Sequence, residues 1–356
     1  MNATDYSVIK LDTLLFADTS DTTQARLRDL RQTRAGTKLS SMDLRYNDMP
    51  LFAANGQRGG GASADSLATE SPWGVWGRVN RASGDKDATA LTGPLDMTHT
   101  EYTLGLDYRR GGNVFGASVS LRNANIDFGT HGERGGLDSR TTTLSAYASS
   151  YVFGDLYVDG ILNYGFNSYD ATRRIGYDEF GTPIDRTALG NTDGKTFSFG
   201  GSLGYDAASG PFTLTPSLGY LYIKAKLDSF AEHGADGLNL AFSEQRYRSS
   251  SLRLQLSSSY AINTRYVVVL PYVRAALVKE LANDIDTFGV RFVDDPGVST
   301  SVPVSVEALD DTYYRLALGL STQFPHDLSA YLDYQMLSGF QSVSLWSASL
   351  GLRKQF

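Results

Sequence analysis

The chain has 356 residues, 41% of them apolar, with 36 Gly, 21 Tyr, 17 Phe, no Cys and a formal net charge of −7. That length suits two ordinary domains or one large barrel, and the apolar content excludes disorder as a whole-chain state. The missing cysteines exclude disulfides, thiolate catalysis and thiolate zinc sites. The acidic balance argues against a nucleic-acid partner, and no run approaches the roughly 18 apolar residues of a membrane-spanning helix.

Residues 1–71 carry no alternating pattern. Residues 5–16 (DYSVIKLDTLLF) form an amphipathic candidate with Val8, Leu11, Leu14 and Leu15 on one side. Asp21-Thr22-Thr23-Gln24 resembles a capping box. It opens a predicted helix over about 21–35 that carries Arg26, Arg28, Arg31 and Arg34 with Asp29 as its acid, and Gly36 supplies a stop. About 12 residues at 1.5 Å give ~18 Å, short of the ~30 Å hydrocarbon layer. Residues 55–71 (NGQRGGGASADSLATES) read as a flexible linker.

From residue 72 the period becomes two. In 98–108, Tyr102, Leu104, Leu106 and Tyr108 oppose Glu101, Thr103, Gly105 and Asp107. In 252–260, Leu252, Leu254, Leu256 and Tyr260 oppose Arg253, Gln255, Ser257 and Ser259. Such alternation means strands with one dry and one wet face. Twelve segments follow: 72–80, 98–109, 113–123, 140–153, 155–168, 194–206, 211–225, 246–262, 265–279, 311–324, 327–337 and 343–356. Their connections alternate in length, with 81–97, 124–139, 169–193, 226–245 and 280–310 long and those between them short. An even strand count with short and long connections by turns is the signature of an outer-membrane barrel.

A soluble β-sandwich also alternates, but three features oppose it. The polar face carries Arg78, Glu101, Asp107, Asp159, Arg253, Arg274, Arg315, Asp333 and Arg353 and little Lys, which suits a lumen better than an outer surface. Aromatics gather near both strand ends on the apolar face: Tyr108, Phe115, Phe212, Tyr260 and Phe356 beside the short turns, Tyr102, Tyr164, Phe199, Tyr220, Tyr334 and Trp346 toward the long loops. These are the girdles of a membrane barrel. The strand lengths, tilted ~45°, also match a bilayer crossing. Gly105, Gly116, Gly200, Gly204, Gly219, Gly319 and Gly351 fall on the inward face, where small residues are expected to leave room in the lumen. The predicted fold is all-β: a 12-stranded antiparallel transmembrane β-barrel over 72–356, with the helix of segment 1–71 in its lumen. A lumen of twelve strands is wider than side chains alone fill. The helix is expected to plug it, its arginines facing acids such as Glu101, Asp107, Asp159 and Asp333, since buried charges need partners.

This order of features resembles the translocator domain of type Va autotransporters. The residues that carry the likeness are Arg26-Leu27-Arg28-Asp29-Leu30-Arg31, then Trp73-Gly74-Val75-Trp76-Gly77-Arg78, then Leu104-Gly105-Leu106-Asp107-Tyr108. Pro271-Tyr272-Val273-Arg274 with Lys279-Glu280-Leu281 and the final Leu350–Phe356 complete it. The resemblance implies a barrel in the outer membrane of a Gram-negative bacterium, through which an N-terminally fused passenger exits before the helix remains behind as a plug. It further implies the outer-membrane bilayer, the barrel-assembly machinery, periplasmic chaperones and the passenger itself as partners, and a monomer. Leu350, Leu352 and Phe356 are similar to the terminal signal read by the assembly machinery, although Lys354 stands where an aromatic is commoner. Some members cut their passenger loose through an Asn in the helix; no Asn lies between Asn2 and Asn47, so no such self-cleavage is expected. The start of the chain lacks a basic region and an apolar core, so it is expected to be a piece of a longer precursor.

No catalytic residue, cofactor or metal is predicted. The alternatives are a stand-alone channel and a barrel hydrolase with a rim site, for which His99 with Asp96 or Asp85 is the one assembly available. Arg58-Gly59-Gly60-Gly61-Ala62-Ser63 lacks the lysine and the strand–helix context of a phosphate loop. Asp284, Asp286, Asp294 and Asp295 lack the fixed spacing of a Ca²⁺ loop.

Overall fold

The computed structural model describes residues 24, 26–28, 31, 45–46, 49–50, 72–89, 93–129, 133–264, 266–295, 302–304, 311–325, 327–339 and 343–356. Twelve long strands make the wall: β1 (Trp73–Lys86), β2 (Leu95–Arg110), β3 (Asn113–Phe128), β4 (Gly135–Phe153), β5 (Leu156–Glu179) and β6 (Thr182–Tyr205). They continue as β7 (Phe212–Leu227), β8 (Gln245–Tyr260), β9 (Val268–Ile285), β10 (Thr312–Gln323), β11 (Leu328–Ser338) and β12 (Val343–Gln355). Each pairs antiparallel with its neighbours in sequence, and β12 returns to β1 from Val343↔Lys86 to Gln355↔Gly74. The sheet is therefore closed, and no edge strand is left to pair with another chain.

The wall has two zones. Over most of each strand the large apolar side chains point outward, with Leu104 64%, Leu254 59% and Leu350 57% exposed. In water such a belt would aggregate; against lipid it is the stable arrangement. Rings flank the belt: Trp73 meets Tyr108 at 4.9 Å at the short-turn end, while Phe199 meets Tyr222 at 5.2 Å and Tyr334 meets Trp346 at 6.0 Å toward the loops. Closer to the loop end the phase inverts. In β2 the outward set Tyr102, Leu104 and Leu106 gives way to inward, buried Leu95 and Met97, with Asp96 turned out. The same switch occurs in β3 (inward Ile126 and Phe128), β4 (Leu137), β5 (Tyr169), β7 (Ala225 and Leu227), β8 (Tyr247) and β12 (Val343). Lys86 and Gln245 are polar members of this inner collar.

That inversion accounts for the main difference from the sequence reading. The expected strands stop near 80, 98, 123, 140, 168 and 194, where the alternation changes phase, yet backbone pairing runs on to Lys86, Leu95, Phe128, Gly135, Glu179 and Thr182. Pairing needs only backbone partners, whereas the apolar phase follows the solvent on each side. The connection expected over 169–193 is thus two strands joined by Phe180-Gly181, with φ of 51° and 86°. Positive φ at both central residues marks a type I′ turn, whose twist matches its strands.

Two other long connections also hold structure. Phe230–Ala231, Leu240–Phe242, Phe288–Phe292 and Val302–Val304 form a four-stranded antiparallel sheet above the loop end. Its core joins Leu240, Phe242 and Phe288, with Phe230 stacked on Phe242 at 4.7 Å. It is tied to the long β5–β6 hairpin by reciprocal Leu189–His233 backbone bonds of 2.8 and 2.9 Å and by the buried Arg173–Glu232 pair. Elsewhere Arg45–Tyr46 pairs with Met49–Pro50.

The inward glycines are corrected too. Five of the seven, Gly105, Gly116, Gly204, Gly319 and Gly351, lie directly across from an aromatic of a neighbouring strand: Trp76, Tyr147, Tyr157, Tyr272 and Tyr331 respectively. A Cβ at any of the five would overlap that ring. The glycines make seats for rings folded flat against the wall rather than open volume, and each seat fixes the register of its strand pair.

Candidate functional site: the lumen and its basic helix

The polar face of the bilayer zone lines the lumen with Ser, Thr, Asn, Arg and Asp. Gln24, Arg26, Leu27, Arg28 and Arg31 are helical. Leu27 is fully buried against the inward side chains Trp76, Val114, Tyr147 and Ile161. Asp29 and Arg34, and the candidates over 5–16 and 55–71, lie outside the described residues.

Two carboxylates of the wall hold the helix. Arg26 forms a buried salt bridge with Asp107. The same carboxylate accepts from Tyr147 Oη, which accepts from Trp76 Nε1 at 2.7 Å, and Arg353 Nε lies 3.5 Å away. The Arg26 guanidinium sits 5.5 Å from the Trp76 ring centroid. On the far side, Arg31 donates to both oxygens of Asp159 at 2.5 and 2.6 Å, and Ser202 Oγ donates to Asp159 at 3.0 Å. The Arg31 guanidinium is also 3.7 Å from the Tyr157 ring centroid. Both arginines therefore combine an ion pair with a ring face, which suits guanidinium better than ammonium. With both charges of each pair out of water, removing one partner leaves the other buried and uncompensated.

The remaining sequence candidates sit on the same inward face. Arg274 meets Asp333 at 2.6 Å, and Tyr272 Oη donates to Asp333 at 2.8 Å. Arg78 donates to Ser349 Oγ at 2.5 Å, and Glu101 accepts from Thr103 Oγ1 at 3.3 Å. Arg28 interacts electrostatically with Arg274, Asp333 and Arg253. Arg253 and Arg315 line a cleft that also touches Gln24, Glu280 and Tyr313. Leu350, Leu352 and Phe356 point outward at the end of β12, and the Phe356 backbone N–H donates to the Trp73 carbonyl at 3.1 Å. Sequence reasoning missed the ring platforms Trp76, Tyr147 and Tyr157. Their signal was present, since each is a large aromatic on the polar parity of its strand opposite a glycine.

The rim pair is not assembled. His99 is buried on the inner face, whereas Asp96 and Asp85 stand on the outer face of β2 and β1. Their odd sequence and register offsets put them on opposite sides of one sheet. Among the described residues no group of three or more His, Asp or Glu is placed to hold a metal ion. Outside the membrane belt, Glu244 accepts from Lys226 and Arg246, and these bonds hold its carboxyl below the usual carboxylate range.

A closed twelve-strand barrel, apolar outside and polar within, defines an outer-membrane β-barrel protein. Residues 75–335 match the family model described as the autotransporter beta-domain, and the chain belongs to that family. It is 25% identical over 289 residues to an uncharacterised protein, YaiT, of Salmonella typhimurium, covering 79% of this chain and 26% of that one. It is 26% identical over 226 residues to esterase EstA of Pseudomonas aeruginosa, covering 60% of this chain and 33% of EstA. The chain thus spans about a quarter to a third of the length of these curated relatives. In fold it is similar to the translocator domain of NalP from Neisseria meningitidis (TM-score 0.63, 16% identity, 82% of this chain and 90% of that one). The beta domain of Bordetella BrkA is a further neighbour (TM-score 0.55, 17% identity, 80% and 100%). The chain is thus an autotransporter beta-domain, a β-barrel of the outer membrane of a Gram-negative bacterium.

Proposed function

We propose that this barrel exports a passenger fused N-terminal to the helix through its lumen, anchors it, and is then plugged by the helix of segment 1–71. The observation that supports the reading is the docking of Arg26 on Asp107 and of Arg31 on Asp159, two carboxylates on separate walls that grip one helix. The wall itself is assigned no catalysis. Any activity of the parent molecule belongs to the passenger, as the esterase name of one relative suggests by analogy. Leu350, Leu352 and Phe356 serve as the strand read by the barrel-assembly machinery, with periplasmic chaperones delivering the chain.

The test is a signal peptide and an epitope-tagged passenger fused ahead of residue 1. Export predicts that antibody and protease reach the tag on intact cells. A correctly folded barrel whose tag stays in the periplasm refutes export. The plug is tested separately by planar-bilayer recordings of the whole chain: R26A/R31A should open ion-conducting steps absent from the parent, and unchanged conductance refutes it.

A further inference from the structure

The outer face of β6, β7 and β8 changes abruptly where the lipid-facing belt ends. Phe197 and Phe199 on β6, Tyr220 and Tyr222 on β7 and Leu252 and Leu254 on β8 point outward. Farther toward the loops the same parity carries Lys195, then Lys224 and Lys226, then Arg248 and Arg246. The register sets Lys195 against Lys226, Lys226 against Arg246, and Lys224 against Arg248. We infer that this patch binds a phosphate of the glycolipid of the outer leaflet, lipid A, with Lys195, Lys224 and Arg248 as the binding residues. The inference goes beyond export and rests only on the barrel standing in the outer membrane.

The first observation is electrostatic. Like charges directly opposite on neighbouring strands repel, and three such cation pairs adjoin here. Two acids relieve the upper row: Lys226 reaches Asp228 at 2.9 Å and Glu244 at 2.7 Å, and Arg246 reaches Glu244 at 2.6 Å. Lys195, Lys224 and Arg248 are exposed and form no ion pair among the described residues. Asp284 stands across from Arg248 on β9 without joining it in an ion pair. Lys224 and Arg248 are opposite neighbours ~5 Å apart, and Lys195 is diagonal to Lys224 at ~7–8 Å. Their long side chains span those distances to meet one phosphate, the guanidinium as a fork and the ammonium groups as point charges.

The second observation is the order of charge away from the lipid. Asp193, Asp228 and Glu244 each stand one outward position beyond a cation of the patch. On β1 Arg81 likewise precedes Asp85, and on β4 Arg140 precedes Asp138. On these five strands the cations lie next to the belt and the carboxylates lie farther from it, in a chain whose net charge is −7. An anionic headgroup layer attracts Lys and Arg at its own level and repels carboxylates there. The Phe199 and Tyr222 rings, 5.2 Å apart, mark the edge of the hydrocarbon just below. Lysine stems can run along such rings and deliver their charge to the headgroups. Continuity with the belt is what favours a lipid over a protein partner, because lipid around Leu218 and Leu254 places the patch at headgroup level.

The full-length protein, folded in a zwitterionic detergent, is titrated with lipid A and with the same glycolipid stripped of its phosphates. Native mass spectrometry counts the bound lipid, and heat-modifiable gel migration confirms the fold of each variant. The stripped glycolipid should bind about tenfold more weakly or worse. K195Q/K224Q/R248Q should weaken lipid A about a hundredfold, since each cation beside an anionic headgroup contributes about fivefold. R174Q/R186Q/R291Q, which removes the same charge farther out, should leave it unchanged, and K195R/K224R/R248K should retain it. If the neutral triple variant does not fold, Lys224→Gln alone is read against the fivefold expectation. Unchanged binding in the neutral variants, or an equal loss in R174Q/R186Q/R291Q, overturns the patch. Equal binding of the stripped glycolipid, or displacement of lipid A by inorganic phosphate at equal concentration, overturns the lipid phosphate as its occupant. Unchanged lipid binding with loss of the surface-displayed tag assigns the patch to a protein partner and overturns the proposal.

Discussion

Below about Tyr102 and above about Met97 the second strand keeps one backbone geometry and reverses the side on which its apolar residues lie. In the bilayer zone Leu104 and Leu106 meet lipid and Asp107 faces the lumen; in the extracellular zone Met97 packs inward and Asp96 meets water. The lower half is an inside-out protein and the upper half an ordinary soluble one, built from the same ladder of hydrogen bonds. A strand has no intrinsic dry face, since each side takes the polarity of whatever medium it meets. The two zones consequently divide the contacts: charge pairs can hold a helix where the inner face is polar, and apolar packing is available only where that face has inverted.

Removing one side of a buried pair should cost most. Asp159→Ala leaves Arg31 without its carboxylate and is expected to lose about 3–5 kcal/mol, read as a fall in the unfolding midpoint in detergent. A loss no larger than for Asp138→Ala, on the outer face above the belt, would deny the lower lumen its role as a charge-pairing zone. Next, Leu254→Arg on the lipid face should destabilise by about 2–4 kcal/mol, while Asn125→Arg, outward in the upper zone, should stay within about 0.5 kcal/mol. Urea titration of barrels folded into lipid vesicles compares them, and equal penalties would erase the boundary between zones. Gly351→Ala pushes a methyl into the Tyr331 ring and should cost about 1–3 kcal/mol by overpacking. The double change with Tyr331→Ala should recover part of that loss, and strict additivity would show that the two residues do not act as a seat and its ring. The smallest effect belongs to the extracellular hairpin, where Phe180→Asn suits the left-handed turn. It is expected to gain less than about 1 kcal/mol, seen as slower amide exchange at 175–188 with no change in the belt.

Much of this was legible in the sequence. Tyr102-Leu104-Leu106 against Glu101-Thr103-Asp107 already separates lipid from lumen, because a period of two leaves no freedom once one residue is placed. Arg26 and Arg31 announce a basic helix in need of acids. Which acids they would reach was open: Glu101 and Asp333 share the inward parity of Asp107 and Asp159, and only the stagger of the closed barrel sets which two lie at the height and angle of the helix. The expected loop over 169–193 failed for a related reason. Tyr169 and Ile175 carry the apolar phase of a soluble hairpin, and that phase cancels the signal of the belt below it.

The amino-acid sequence by itself determined the strand count, the face of every side chain within the membrane and the basic character of the helix, since these follow from local spacing and composition. Tertiary structure alone decided the height at which the polarity inverts, the glycine seat into which each ring folds and the pairing of Arg26 and Arg31. Those depend on register and shear around a closed wall, and they join residues such as Arg31 and Asp159 that lie more than a hundred positions apart in the chain.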